Sequence, residues 1–134
     1  MNALTPESID GICDAYIEQI ERYQRAVHTA RSLAAAFSDG RDAAPDLKQL
    51  GQTLDEIAEI NQRIQPFRRQ ERANGLAGSG RAQQLMHQLA DAIQVLIHEI
   101  DAAEREARRA RQRLVPELRQ ETLRQQMRAA YGRR

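Results

Sequence analysis

AQQLMHQLADAIQVLIHEIDAAEREARRARQRL, residues 82–114, carries the reading that decides the fold. Its regularly spaced apolar residues are Ala82, Met86, Leu89, Ile93, Leu96, Ile100, Ala103, Ala107, Ala110 and Leu114. The steps between them alternate four and three. An α-helix turns once in about 3.6 residues, so this spacing holds all of them along one side of one long helix. A seven-residue repeat sustained this long marks a coiled-coil-like seam. Leu85, Ala92 and Ile97 widen the stripe in its first half, so that half faces more than one neighbour. The second half is different. Its seam shrinks to alanines set in EREARRARQR, residues 104–113. Each leucine exchanged for alanine forfeits roughly 2–5 kcal/mol in a filled core. Either another helix approaches very closely there, or the groove receives a partner's larger side chains.

Two more helical patterns precede this one. Thr5-Pro6-Glu7 reads as a helix start: a capping hydroxyl, a proline suited to the first turn, and an acid at the positive end of the dipole. Ile9, Cys13, Tyr16, Ile20, Tyr23, Val27, Ala30, Ala34 and Phe37 follow with the same four-three steps. Ser38-Asp39-Gly40 closes the run, with Gly40 placed for a left-handed cap. After Pro45, a second seam runs through Leu47, Leu50, Leu54, Ile57, Ile60, Ile64 and Phe67. Asn61 lies on that line; it either fixes register or turns outward while Ile60 fills the core, and we take the outward reading. Pro66 removes the N–H that would reach back to Gln62, so a bend or an end is expected there. NGLAGSG, residues 74–80, is a turn between antiparallel helices. It is not a phosphate-cradling loop, because no strand precedes it and no Gly-Lys-Ser/Thr ends it.

Beyond residue 114 the pattern changes. RLVPELRQETLRQQMRAAYG, residues 113–132, contains Pro116, which pushes Val115 away from helical angles. A hinge is expected there, followed by a short amphipathic helix. Leu118, Leu123, Met127 and Tyr131 form its apolar side, and Arg119, Arg124 and Arg128 mark another side.

Composition agrees with helices. The 134-residue chain is 41% hydrophobic but only 4% aromatic, with no tryptophan. Its apolar content is therefore largely Ala, Leu and Ile, which favour helix. That length supports one domain with one core. Net charge is +1, which by itself implies neither nucleic acid nor membrane as partner. Its distribution is uneven. Residues 1–103 hold 10 Lys+Arg and 15 Asp+Glu, a net of −5; residues 104–134 hold 10 Arg and 4 Glu, a net of +6. Arginine suits planar carboxylate contacts, although a genomic bias toward arginine gives the same composition. Cys13, the one cysteine, allows no internal disulfide and fits a reducing cytosol. It reads as a buried structural thiol rather than a reactive one. No apolar run is long enough to span a membrane, and MNALTPESID lacks the basic and apolar regions of a secretory signal.

Chemistry has no constellation to stand on. His28, His87 and His98 offer no metal-ligand pairing. His87 and His98 share a helix face, but three turns of helix hold them about 16 Å apart. Asp55-Glu56 and Glu104 with Glu106 sit on solvated faces, not in a cleft. The tract from Arg105 to Arg113 is diluted by Glu104, Glu106 and Glu117 and has no interleaved aromatics, which disfavours nucleic acid. The apolar side of the tail is too short and too poor in Trp and Phe for a membrane surface. Helix-in-groove recognition of a protein remains.

LKQLGQTLDEIAEINQRI, LADAIQVLIHEI and ARRARQRLVPELRQETLRQQMRAAYG together resemble the FlgN-type flagellar export chaperones. These stretches cover most of residues 47–132. The resemblance implies a small all-helical cytosolic chaperone that binds the C-terminal helix of a hook-associated export substrate. It also implies that the C-terminal part of the chain holds that substrate. Pro116, Pro66 and the arginine load depart from the family pattern.

The expectation is therefore an all-α protein of three long antiparallel helices, about 6–38, 45–72 and 81–115, in a coiled-coil-like bundle, with a C-terminal amphipathic extension over 116–134. It is expected to be cytoplasmic, to be no enzyme and to need no cofactor. Its partner is expected to be a protein amphipathic helix, with the chain itself a monomer or weak homodimer. Ala103, Ala107, Ala110, Leu114, Leu118, Leu123, Met127 and Tyr131 would supply burial at that site, and Arg108, Arg111, Arg119 and Arg124 would steer toward carboxylates. The other readings are a structural coiled-coil part of a secretion apparatus and a homodimeric helical adaptor.

Overall fold

Three helices account for nearly all of the described chain. The computed structural model describes residues 6–74 and 80–131. Helix α1 spans Pro6–Asp39, α2 Ala44–Asn74 and α3 Gly80–Tyr131, and there is no strand among the described residues. Thr5, most of the glycine-rich turn, and the side chains of Ile9 and Phe67 lie outside what is described.

The turn between α1 and α2 is built as its residues dictate. Gly40 takes φ +70°. That left-handed conformation costs glycine nothing, because it has no Cβ to clash. The Arg41 N–H thereby reaches back to the Ala36 carbonyl at 2.8 Å. This is the six-to-one bond of a Schellman cap, and it closes the helix. The Asp42 carboxylate then accepts from the Ala44 N–H at 3.0 Å. That bond satisfies an orphan donor at the start of α2.

Cross-helix contacts set the directions. Ser32 donates to Asp46, Arg22 meets Glu56 and Arg63 meets Glu18, so α2 runs antiparallel to α1. Arg31 meets Glu99, and the Arg113 guanidinium reaches the Ser38 carbonyl at 3.5 Å, so α3 runs parallel to α1. Successive helices alternate in direction, as expected. α1 is the central helix. No Cα of α2 comes within 8 Å of one of α3 among the described residues.

That central role explains the burial. The α1 seam is occupied as spaced at Cys13, Tyr16, Val27 and Ala30, but Ile12, Ala26, Leu33 and Ala36 are buried too. A helix with neighbours on two sides needs a broader apolar stripe than one seam supplies. The α2 backbone lies against α1 alone, so a narrow stripe of Leu50, Thr53, Ile57, Ile60 and Ile64 is buried, and Leu47 and Leu54 stay exposed. On α3 the buried set is Ala82, Leu85, Leu89, Leu96 and Ala103. Leu85 replaces the expected Met86, which is exposed.

Asn61 does not simply turn outward. Ile60 fills the core, while Asn61 is half-buried and accepts from the amide of the fully buried Gln19 on α1. One polar pair thus sits inside the α1–α2 seam and favours a single register.

Neither proline ends its helix. α2 continues eight residues past Pro66, and α3 continues fifteen past Pro116 to Tyr131. Each proline removes one backbone donor. Around Pro116 every neighbour is exposed, so the freed Gln112 carbonyl lies in a solvated stretch where a missing donor costs little. The surrounding Arg, Gln, Glu and Leu are strong helix formers. The helix expected to restart after Pro116 is not separate: the tail is the last third of one 52-residue helix.

Candidate partner-binding surface

α1 ends at Asp39, and α2 begins at Ala44, so the bundle stops where α3 reaches Arg113. The Arg113–Ser38 contact is the last hydrogen bond between α3 and another helix among the described residues. Every residue from Arg111 to Tyr131 is exposed. Residues 114–131 therefore project as a single-helix arm, about 27 Å long at 1.5 Å per residue.

The alanine groove divides at this boundary. Ala103 is only 3% exposed and packs with Ala26, Ala30 and Leu33 of α1, so it belongs to the core and leaves the candidate site. Its small size permits the close approach of a second helix there. Ala107 and Ala110 are half-buried, and Leu114 is the first exposed residue of the groove.

Continuity through Pro116 also splits the apolar side read from the sequence. Leu118 and Met127 are nine residues apart, two and a half turns, which places them on opposite sides of one helix. Leu123, Met127 and Tyr131 follow one another by fours along one flank. Leu118 lies on another flank with Val115 and Thr122. There, Val115, Leu118, Arg119, Thr122, Leu123 and Gln126 border a shallow, mostly apolar hollow.

Three of the four expected arginines converge on that hollow. Arg119 lines it. Arg108 stands seven residues before Val115, and Arg111 seven before Leu118, so both fall on the same side, two turns back. Arg124 instead lines up with Glu117 and Tyr131 on the far side. Among the described residues, Arg105, Arg108, Arg111, Arg119, Arg124 and Arg128 have no acidic group within 4.0 Å, whereas Arg109 pairs with Glu106 at 2.7 Å. The arm is thus an apolar strip beside uncommitted guanidinium groups. Val115 and Thr122 are absent from the residues expected on sequence; the seven-residue run Arg108, Val115, Thr122 is the signal that points to them.

Elsewhere the described residues hold no group of three or more His, Cys, Asp or Glu side chains placed to take a metal ion, and no helix is long and apolar enough to cross a membrane. Cys13 is buried in the core cluster that holds Ile60 and Leu89.

No family model, curated protein or solved structure matches the chain. Its surface is the remaining guide to what it binds.

Proposed function

We propose that this protein is a non-catalytic binding protein whose projecting arm holds an acidic amphipathic helix of a partner. One observation carries the reading. An exposed apolar hollow, bordered by Arg119 and flanked by Arg108 and Arg111, lies on a helix that makes no hydrogen bond to its own bundle beyond Arg113 among the described residues. Leucine-sized side chains of the partner helix fill the hollow. Its carboxylates meet the arginines, which set orientation and specificity more than affinity.

The finer reading follows the resemblance. In it, the protein is a cytosolic chaperone of the FlgN type, and the captured helix belongs to a hook-associated flagellar export substrate. Capture covers the substrate's apolar strip and keeps it from aggregating before export. The competing reading is a structural coiled-coil component of a secretion apparatus.

A labelled synthetic helix with leucines at three-four spacing and flanking glutamates tests the general reading. It should bind the full-length protein saturably, and Leu118→Asp should abolish binding while circular dichroism stays unchanged. Met127→Asp, on the opposite side, should leave most of it. Equal loss in both variants, or none in either, refutes the hollow as the site. Co-purification with a hook-associated substrate, with and without its last helix, tests the finer reading; failure to bind the intact substrate favours the structural component.

A further inference from the structure

The bundle seam of α3 does not stop at Leu114. The same four-three steps continue to residues 117, 121, 124, 128 and 131, which are Glu, Glu, Arg, Arg and Tyr. Because α3 is unbroken, these five side chains extend the line that the core uses, on the side of the arm away from the hollow. None of the four charged ones has an ion-pair partner within 4.0 Å among the described residues, and all five are exposed.

We infer that this face pairs with a second copy of the chain, the two arms running antiparallel. The charge order decides the occupant and the direction. Glu-Glu-Arg-Arg is its own complement when reversed. An antiparallel copy centred between Thr122 and Leu123 sets Glu117 against the second copy's Arg128 and Glu121 against its Arg124, with the same pairs repeated by symmetry. Leu114 then meets Tyr131 at both ends. These pairings join the two alternating sets of seam positions, as antiparallel helices require. Moving the register by seven residues either way sets Glu117 against Glu121, or Arg124 against Arg128. A parallel pair sets every charge against its like. Only one arrangement satisfies all four charges, and it is isologous and self-limiting at two chains.

Two bare helices leave their facing positions partly open to water, so the ion pairs fix direction and register more than they add affinity. The contact area is small for a stable dimer, so association is concentration-dependent and weakens with salt. The pairing does not rest on the proposed partner: it uses the other side of the arm and leaves the hollow facing outward in both copies.

Sedimentation equilibrium of the full-length chain over a concentration series tests this, beside two charge variants. Glu117→Arg with Glu121→Arg makes an all-arginine seam; Arg124→Glu with Arg128→Glu makes an all-glutamate seam. The wild type should approach twice its monomer mass at high concentration. Each variant alone should stay monomeric, and an equimolar mixture should return to dimer. Circular dichroism confirms that the variants remain helical. As a second readout, Leu114→Cys with Tyr131→Cys should oxidise to covalent dimers while either single variant does not, since the two sites are about 26 Å apart on one helix. A wild type that stays monomeric, a variant that dimerises alone, or a mixture that does not restore the dimer overturns the proposal.

Discussion

The two ends of α3 obey the same spacing and meet opposite fates. From Gly80 to Ala110 the seam is apolar, Leu89 and Leu96 are buried, and α1 lies alongside. From Glu117 to Arg128 the seam is charged, Leu118, Leu123 and Met127 lie on other flanks, and no described residue covers them. Helix propensity is high in both. The difference shows that periodicity specifies a helix, while the kind of residue on each flank specifies whether that helix is covered by its own chain. The first half is held by burial; the second is helical but uncommitted.

The comparison breaks most readily by removing one leucine from each half. Leu96→Ala should cost about 2–5 kcal/mol of unfolding free energy, because it empties a filled site. Leu96 packs in the core cluster with Ala26, Ala30 and Leu33 of α1. Leu118 is 62% exposed. Leu118→Ala should therefore change stability by less than about 0.5 kcal/mol, as surface substitutions do. Urea denaturation followed by circular dichroism measures both. A chain ending at Arg113 should likewise keep its melting temperature; a collapsed melt would mean that the arm is part of the core.

A smaller effect belongs to the α1–α2 seam. The buried Gln19 amide donates to Asn61. Asn61→Leu leaves that amide without its acceptor and should cost about 1–3 kcal/mol. Pairing it with Gln19→Leu should recover most of that loss. The double variant should then be less specific in register, visible as broadened amide resonances. Full stability loss in the double variant would show that the pair does more than fix register.

The smallest effect is a pH slope confined to the bundle. Burial between the two core clusters pushes the Tyr23 phenol above its usual value, and the Arg68 guanidinium pulls it partly back. The folded state therefore keeps this proton at pH values where the unfolded chain has released it. The associated stability is whole below about pH 10 and is lost as pH rises toward the raised folded value. Tyr23→Phe should flatten that part of the curve, and stability followed by urea denaturation across this pH range measures it.

Much of the bundle was legible. Three helices, their order and the Gly40 cap follow from spacing and glycine placement. What spacing did not show was which neighbour each helix has. The four-three pattern of α2 is as full as that of α1, yet Leu47 and Leu54 are exposed because the α2 backbone lies alongside α1 alone. Nothing local distinguishes the buried Gln19 from a solvated glutamine, because its partner is 42 residues away. Pro116 misled because a missing donor is decisive inside a core and minor in water. A hinge at that residue would place Leu118 and Met127 on one side; the unbroken helix places them on opposite sides and continues the seam in charged residues.

The central position of α1 also orders events in time. Its contacts with α2 begin next to the turn, where Ser32 meets Asp46 across 14 residues, and spread to Glu18 and Arg63 across 45. Each closes a loop only slightly longer than the last, so the hairpin can zip. The contacts with α3 offer no such start. They span separations such as the 75 residues between Ser38 and Arg113. All of them require the same long loop to close at once, which is slow. A chain emerging from the ribosome would hold a formed α1–α2 hairpin with the α3 face of α1 bare until α3 followed, and that interval is when the protein itself is most exposed to aggregation.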